Sequence, residues 1–295
     1  MHTQYYYFIT GLPVITFEDN KIPFTPDEFL LEAEEHLVAS DFQLLRCLRL
    51  PEKVIELLNV IYNKEDKLHT IDEENLKFYQ DYKEHMKERA SEPTIPVRKE
   101  FKIFPDFLHK IITDLYTEEE MPPYQKTRHK LLEATYEFCS KSSDDFLKHW
   151  FNFNRDMQNI IIAINGRAHN IDYVPYLIGE GELVEKLAKS HSLDFGLGKD
   201  NELFESIYRI WEQNNILYRE KHYDILRWKW IDEFNFFNYF NIERILGYDE
   251  QLRMLNRWIK LDPTAGKEVF KNTIDTLSKS FTFPEQFKVK STSKK

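Results

Sequence analysis

At 295 residues, with 50 Asp and Glu against 40 Lys and Arg, the chain carries a formal net charge of −10, which argues against non-specific nucleic-acid binding. The length lies near the size at which one hydrophobic core stops growing, so two or three helical subdomains are expected. Aromatic residues at 15% offer ample area to bury, while only 8 glycines and 31% charged residues favour helices over a turn-rich β architecture.

In chain order, residues 5–10 (YYYFIT) form a β-prone apolar run ending at Gly11-Leu12-Pro13, expected as a short strand or an extended segment against the helices. Thr25 or Asp27 opens a helical pattern through Phe29, Leu30, Ala33, Leu37 and Val38, with Pro26 at a tolerated first-turn position. A second helix follows Pro51, carrying Val54, Ile55, Leu58 and Ile61. Residues 72–89 are charged almost all round and suit a solvent-facing helix. Pro93 and Pro96 then break the chain, and a subdomain boundary is placed there.

A short amphipathic helix over 104–116 and a turn over 118–123 lead to a helix over 124–139. The connection through 141–144 is short, so that helix and the next should pack as an antiparallel hairpin. From Asp145 the apolar positions Phe146, Trp150, Phe153, Met157, Ile160, Ile161 and Ile164 recur at three- and four-residue steps, which makes one face of a helix of about six turns. Ser143 or Asp144 is its expected cap, and Gly166 its expected stop. A helix of this length, with aromatics at its start and isoleucines at its end, can act as a strut between two packed layers. Residues 194–200 (DFGLGKD) lack the spacing of a phosphate loop and read as a plain loop. Helices are expected over 203–218, with Leu217 inward, over 223–237, with Trp228, Phe234 and Phe237 inward, and over 242–259 and 265–277. The divisions are 1–92, 93–190 and 191–285, with a flexible basic tail over 286–295.

Within the strut, Asp156 and Asn159 lie three apart and share a helix side. Asn159 is placed to hold a neighbouring loop's backbone and Asp156 to pair with Arg155 or Arg167, unless all three are ordinary polar positions of an amphipathic helix. Gly179 and Gly181 flank a helix start at Glu182, where a tight turn accounts for them without a ligand. Asp156, Asn159, the run 160–164, Arg167 and the segment 176–183 (YLIGEGEL) together resemble the C-subunit family of V-type ATPases, whose eukaryotic members are termed d. That likeness covers about the central fifth of the chain. The opening YYYFITGLP and residues 240–270 resemble an uncharacterised bacterial family, domain of unknown function 2764, whose genes accompany those of V-type ATPases. Two departures from the C-subunit pattern stand out: the arginine-rich start is absent, and Ile162 and Ile164 occupy the region of an arginine in the long helix.

The resemblance implies an all-α funnel or elongated array of similar helical subdomains. It implies a non-catalytic coupling subunit of the central stalk, on the cytoplasmic face of the membrane, with the shaft subunits and the proteolipid ring as partners. No cofactor, metal or nucleic acid belongs to that reading. The residues agree in offering no HExxH, no GxSxG and no repeated ExxH pair. Glu32 with His36, and His85 with Glu88, share helix sides, and both histidines are expected at the surface. Cys47 and Cys139 sit singly in apolar helical patterns and are expected as buried free thiols of a cytoplasmic protein. No apolar segment approaches the ~20 residues needed to span a bilayer. The competing expectation is a helical enzyme or ligand-binding protein whose pocket is lined by the aromatics from Trp228, through Trp230, to Tyr239.

Overall fold

The computed structural model describes residues 3–64, 71–198 and 201–261. Among them every regular element is helical, so the protein is all-α. The expected helix over 265–277 and the tail over 286–295 lie outside the described residues.

The first element corrects the expectation of a strand: α1 (Tyr6–Gly11) is a helix. A lone strand needs a neighbour to satisfy its backbone, and none exists among the described residues. Instead Tyr5 N–H donates to Phe240 O at 2.6 Å, its phenol donates to Asp41 at 2.5 Å, and Phe8 turns inward. Tertiary anchoring overrides the β preference of the tyrosine run.

The first helical pattern is α2 (Pro26–His36), ending before Leu37 and Val38, and an unexpected helix, α3 (Ala39–Leu48), follows it. Thr25 and Glu28 form a reciprocal capping box at the start of α2, with Pro26 at its first position. Next come α4 (Leu50–Ile61), with Pro51 inside its first turn, and α5 (Glu73–Ser91), capped by Asp72. The charged α5 still buries Tyr79, Tyr82, His85 and Met86, so His85 is a core residue and not a surface histidine. Its Nε2 accepts from Arg98 N–H at 3.3 Å.

After a 3-10 turn (Lys99–Ile103), α6 (Asp106–Leu115) and α7 (Tyr124–Ser140) lead into the strut, α8 (Asp145–Ala168), which packs along α7 as the short connection predicts. Asp144 caps α8 by accepting from Leu147 N–H at 2.8 Å. Gly166 does not stop the helix, which runs on to Ala168. A Cβ there would lie 2.5 Å from the Tyr173 side chain, so the glycine admits a close approach. The chain continues through α9 (Glu182–Lys189), α10 (Glu202–Trp211), α11 (Ile216–Phe234) and α12 (Ile242–Lys260). Asn215 caps α11 through Tyr218 N–H at 3.1 Å, so the expected helix over 203–218 is cut at 212–215 and Leu217 faces outward.

Two hydrophobic cores result. The larger takes residues from Tyr5 to Phe151 and again from Trp228 to Leu255. The smaller is built within Met157–Tyr223. Strut α8 serves both, giving Phe146, Trp150 and Phe151 to one and Met157, Ile160 and Ile164 to the other. These cores cut across the divisions at 92 and 190, because α12 returns to pack on α2 and α3.

Candidate interaction surface

The residues singled out on α8 form a clamp on the loop that follows it. Asn159 is fully buried; its Nδ2 donates to Ile178 O at 2.9 Å and its Oδ1 accepts from Ile178 N–H at 2.8 Å. One amide therefore satisfies both backbone groups of a residue with no helix or strand of its own. Gly179 follows at φ +74°, and a Cβ on it would meet Arg155 Cδ at 3.4 Å. Arg155 donates twice to Asp156 Oδ1, at 3.0 and 2.8 Å. Gly181, at φ +126°, sits immediately before α9. Arg167 takes no part in the Asp156 pair: it donates to the carbonyls of Ser190 and Ser192 and lies 3.5 Å from the Phe195 ring centre. Together these side chains fix 176–195 against the strut, which is a positioning task.

Trp228 and Trp230 are also structural. Trp228 is buried with Phe17 edge-on at 5.4 Å. Trp230 contacts Trp150 and Phe153, each at 5.4 Å, and Phe234 at 5.1 Å. Such pairs add about 0.5–1.5 kcal/mol each beyond area burial.

Immediately beyond α11 the aromatics turn outward. Phe236 is 65% exposed, Phe237 80% and Tyr239 61%. The N-terminus joins this end of the molecule, since Tyr6 packs on Phe240 at 4.5 Å and leaves Tyr7 93% exposed. The inward placement expected of Phe237 is corrected: the 3-10 turn Asn235–Phe237 rotates it to solvent while burying Asn235. Exposed aromatic rings in one neighbourhood are what a partner-binding surface presents. The period of α11 carries no sign of this turn, although the bare Asn-Phe-Phe-Asn-Tyr-Phe run after it is a compositional one.

Residues 1–281 match the family of proteins of unknown function DUF2764. The chain belongs to that family. No curated protein and no solved structure matches it.

The exposed rings of this family member stand on a frame braced by buried charge. Arg49 Nε donates to Asp249 Oδ2 at 3.0 Å, a second Arg49 nitrogen meets Asp249 Oδ1, and the same side chain reaches Pro26 O at 2.7 Å. Arg253 adds Glu52 at 2.6 Å, Asp249 at 3.3 Å and Glu250. Burial, with Asp249 and Glu52 adding to it against the pull of Arg253, pushes Glu250 up to about 7. On α11, Asp224 accepts from Arg227 at 2.8 Å, from Trp258 Nε1 at 2.8 Å and from Arg257. Among the described residues no group of three or more His, Cys, Asp or Glu is arranged to hold a metal ion. Nor is any helix there long and apolar enough to cross a membrane. The two cysteines, 92 positions apart, do come together: their sulfurs are 3.3 Å from one another.

Proposed function

We propose that the chain is a non-catalytic coupling subunit of a V-type rotary ATPase, standing in the central stalk between the rotor shaft and the membrane proteolipid ring. One observation carries the reading: exposed rings of Tyr7, Phe236, Phe237 and Tyr239 are mounted on a helical frame cross-braced by buried ion pairs. Passing torque needs a body that deforms little and a partner contact that does not slip. Close-packed helical cores meet the first need, and aromatic anchors meet the second. The likeness of the 156–183 segment to the C-subunit family supplies the identity of the complex. Its residues act here as a loop clamp, which suits a stiff spacer.

Under this reading ATP is hydrolysed or made elsewhere, and protons or other ions cross the ring without touching this chain. Attachment to the cytoplasmic face of the membrane comes through the partners. The pocket expected around Trp228 and Trp230 gains no support from rings packed against the core. The test is recovery of the tagged chain from its native cell after gentle membrane extraction. Shaft and ring subunits should accompany it in fixed proportion; their absence, with the chain recovered alone and folded, contradicts the proposal.

A further inference from the structure

Cys47 lies in the last turn of α3 and Cys139 in the last turn of α7, so two helices far apart in sequence present their thiols to one another. A sulfur separation of 3.3 Å exceeds a disulfide bond by about 1.3 Å, a gap that side-chain rotation and slight helix adjustment close. The pair is not sealed off. Cys139 is buried, but Cys47 is part-exposed and lines a cavity of about 470 Å³. Leu44, Leu50, Phe104 and Phe138 give that cavity apolar walls, and the cationic side chains of Arg46, Lys102 and Lys141 line it as well. Arg46 and Lys141 also meet Glu34 and Glu137, at 3.4 and 2.6 Å.

We infer that Cys47 and Cys139 form a reversible dithiol–disulfide site, oxidised by a small carboxylate-bearing disulfide that enters this cavity. The cavity has room for one arm of such a molecule, and its cations match the carboxylates. The inference stands apart from the proposed coupling role. Cys47 loses its proton to solvent and its thiolate attacks one sulfur of the incoming disulfide. The old S–S bond breaks, one thiolate leaves and is protonated, and a mixed disulfide remains on Cys47. Cys139 then loses its proton and attacks Cys47 Sγ, expelling the second small thiolate. Two protein S–H groups become one S–S bond, and one small disulfide becomes two small thiols. The order of attack follows from access and from the hydrogen bond between the sulfurs, which holds the Cys47 thiol below its ordinary value and pushes Cys139 up.

The test uses the full-length reduced chain, oxidised glutathione as probe, and peptide mapping by mass spectrometry without reductant. The expected product is an intramolecular Cys47–Cys139 disulfide reversed by dithiothreitol. The variant Cys139→Ser should instead retain the mixed disulfide on Cys47. Both thiols remaining free in the wild-type chain, or bridges forming only between molecules, would overturn the inference; reading the wild type first keeps that outcome independent of whether the variant folds. A double substitution, Lys102→Gln with Lys141→Gln, should slow reaction with oxidised glutathione by about tenfold and leave the rate with neutral hydroxyethyl disulfide unchanged. Equal slowing of both reagents, or of neither, would refute the carboxylate-bearing oxidant.

Discussion

The larger core is closed by contacts between the ends of the described chain. Arg49 pairs with Asp249, 200 positions away, and Tyr248 donates to Pro13 O across 235. The smaller core is closed locally: Asn159 holds Ile178, Tyr173 donates to Leu187 O, and Arg167 reaches Ser190, over separations of 19, 14 and 23. Its ion pairs among the described residues are exposed or part-exposed, whereas Asp249 is fully buried. One region therefore depends on long-range charge pairing and the other on short-range side-chain hydrogen bonds to the backbone of 178–192, with α8 as the shared member. A body built this way should open in two steps, the smaller core first, with the larger core as the stiffer mount for the exposed rings.

The largest effect should come from breaking the long-range pair. Arg49→Met leaves Asp249 buried with Arg253 as its remaining cation and should cost about 3–5 kcal/mol in urea unfolding. Adding Asp249→Leu should recover much of that loss, since a buried pair replaced whole is often tolerated. In the smaller core, Asn159→Leu strands the buried N–H and C=O of Ile178 and should cost about 2–4 kcal/mol. Hydrogen exchange should then rise over 157–195 while protection in α4 and α12 holds. Equal loss of protection in both regions would merge the two cores into one cooperative unit.

A smaller effect separates them by pH. Burial, with Glu243, Asp145 and Asp41 adding to it against Leu147 N–H, pushes Asp144 up to about 6 from an ordinary value of 3.8. Because the folded pKa is the higher, the folded state binds the extra proton between those values. The stability contributed there is present at the acid end, falls as pH rises through the window and stays lost above about 6. Asp144→Asn keeps the cap and should gain about 1 kcal/mol at pH 8, with no gain near pH 3.5, as read by thermal unfolding at each pH. Smallest of all should be the stability change of Phe236→Ser with Phe237→Ser, within about 0.5 kcal/mol, because both rings face solvent.

The parts of this organisation legible in the sequence are those carried by local period and local chemistry. The apolar steps of α8 and the Thr25 box lie within one helix or one turn of it, and the Asn159 contact with a loop backbone spans only 19 positions. The pairing of Arg49 with Asp249 and of Cys47 with Cys139 has no local signal, since each joins helices brought together only by packing. Helix breaks at 37–38 and 212–215 contain neither Gly nor Pro, so periodicity runs straight through them. At the N-terminus the tyrosine run misleads because docking on Phe240 and Asp41, and not propensity, decides its conformation. The outward turn of Phe237 escapes a periodic reading, because helical period alone continues it into the core.

The coupling role is tested most directly by ATP-driven ion pumping in membrane vesicles from the native cell, with the chain deleted and then restored. Deletion should abolish pumping while ATP hydrolysis by the detached catalytic sector persists. Wild-type chain should restore pumping, and the Phe236→Ser, Phe237→Ser variant, equally stable, should not. Pumping that survives deletion, or is restored equally by both chains, would contradict the coupling role.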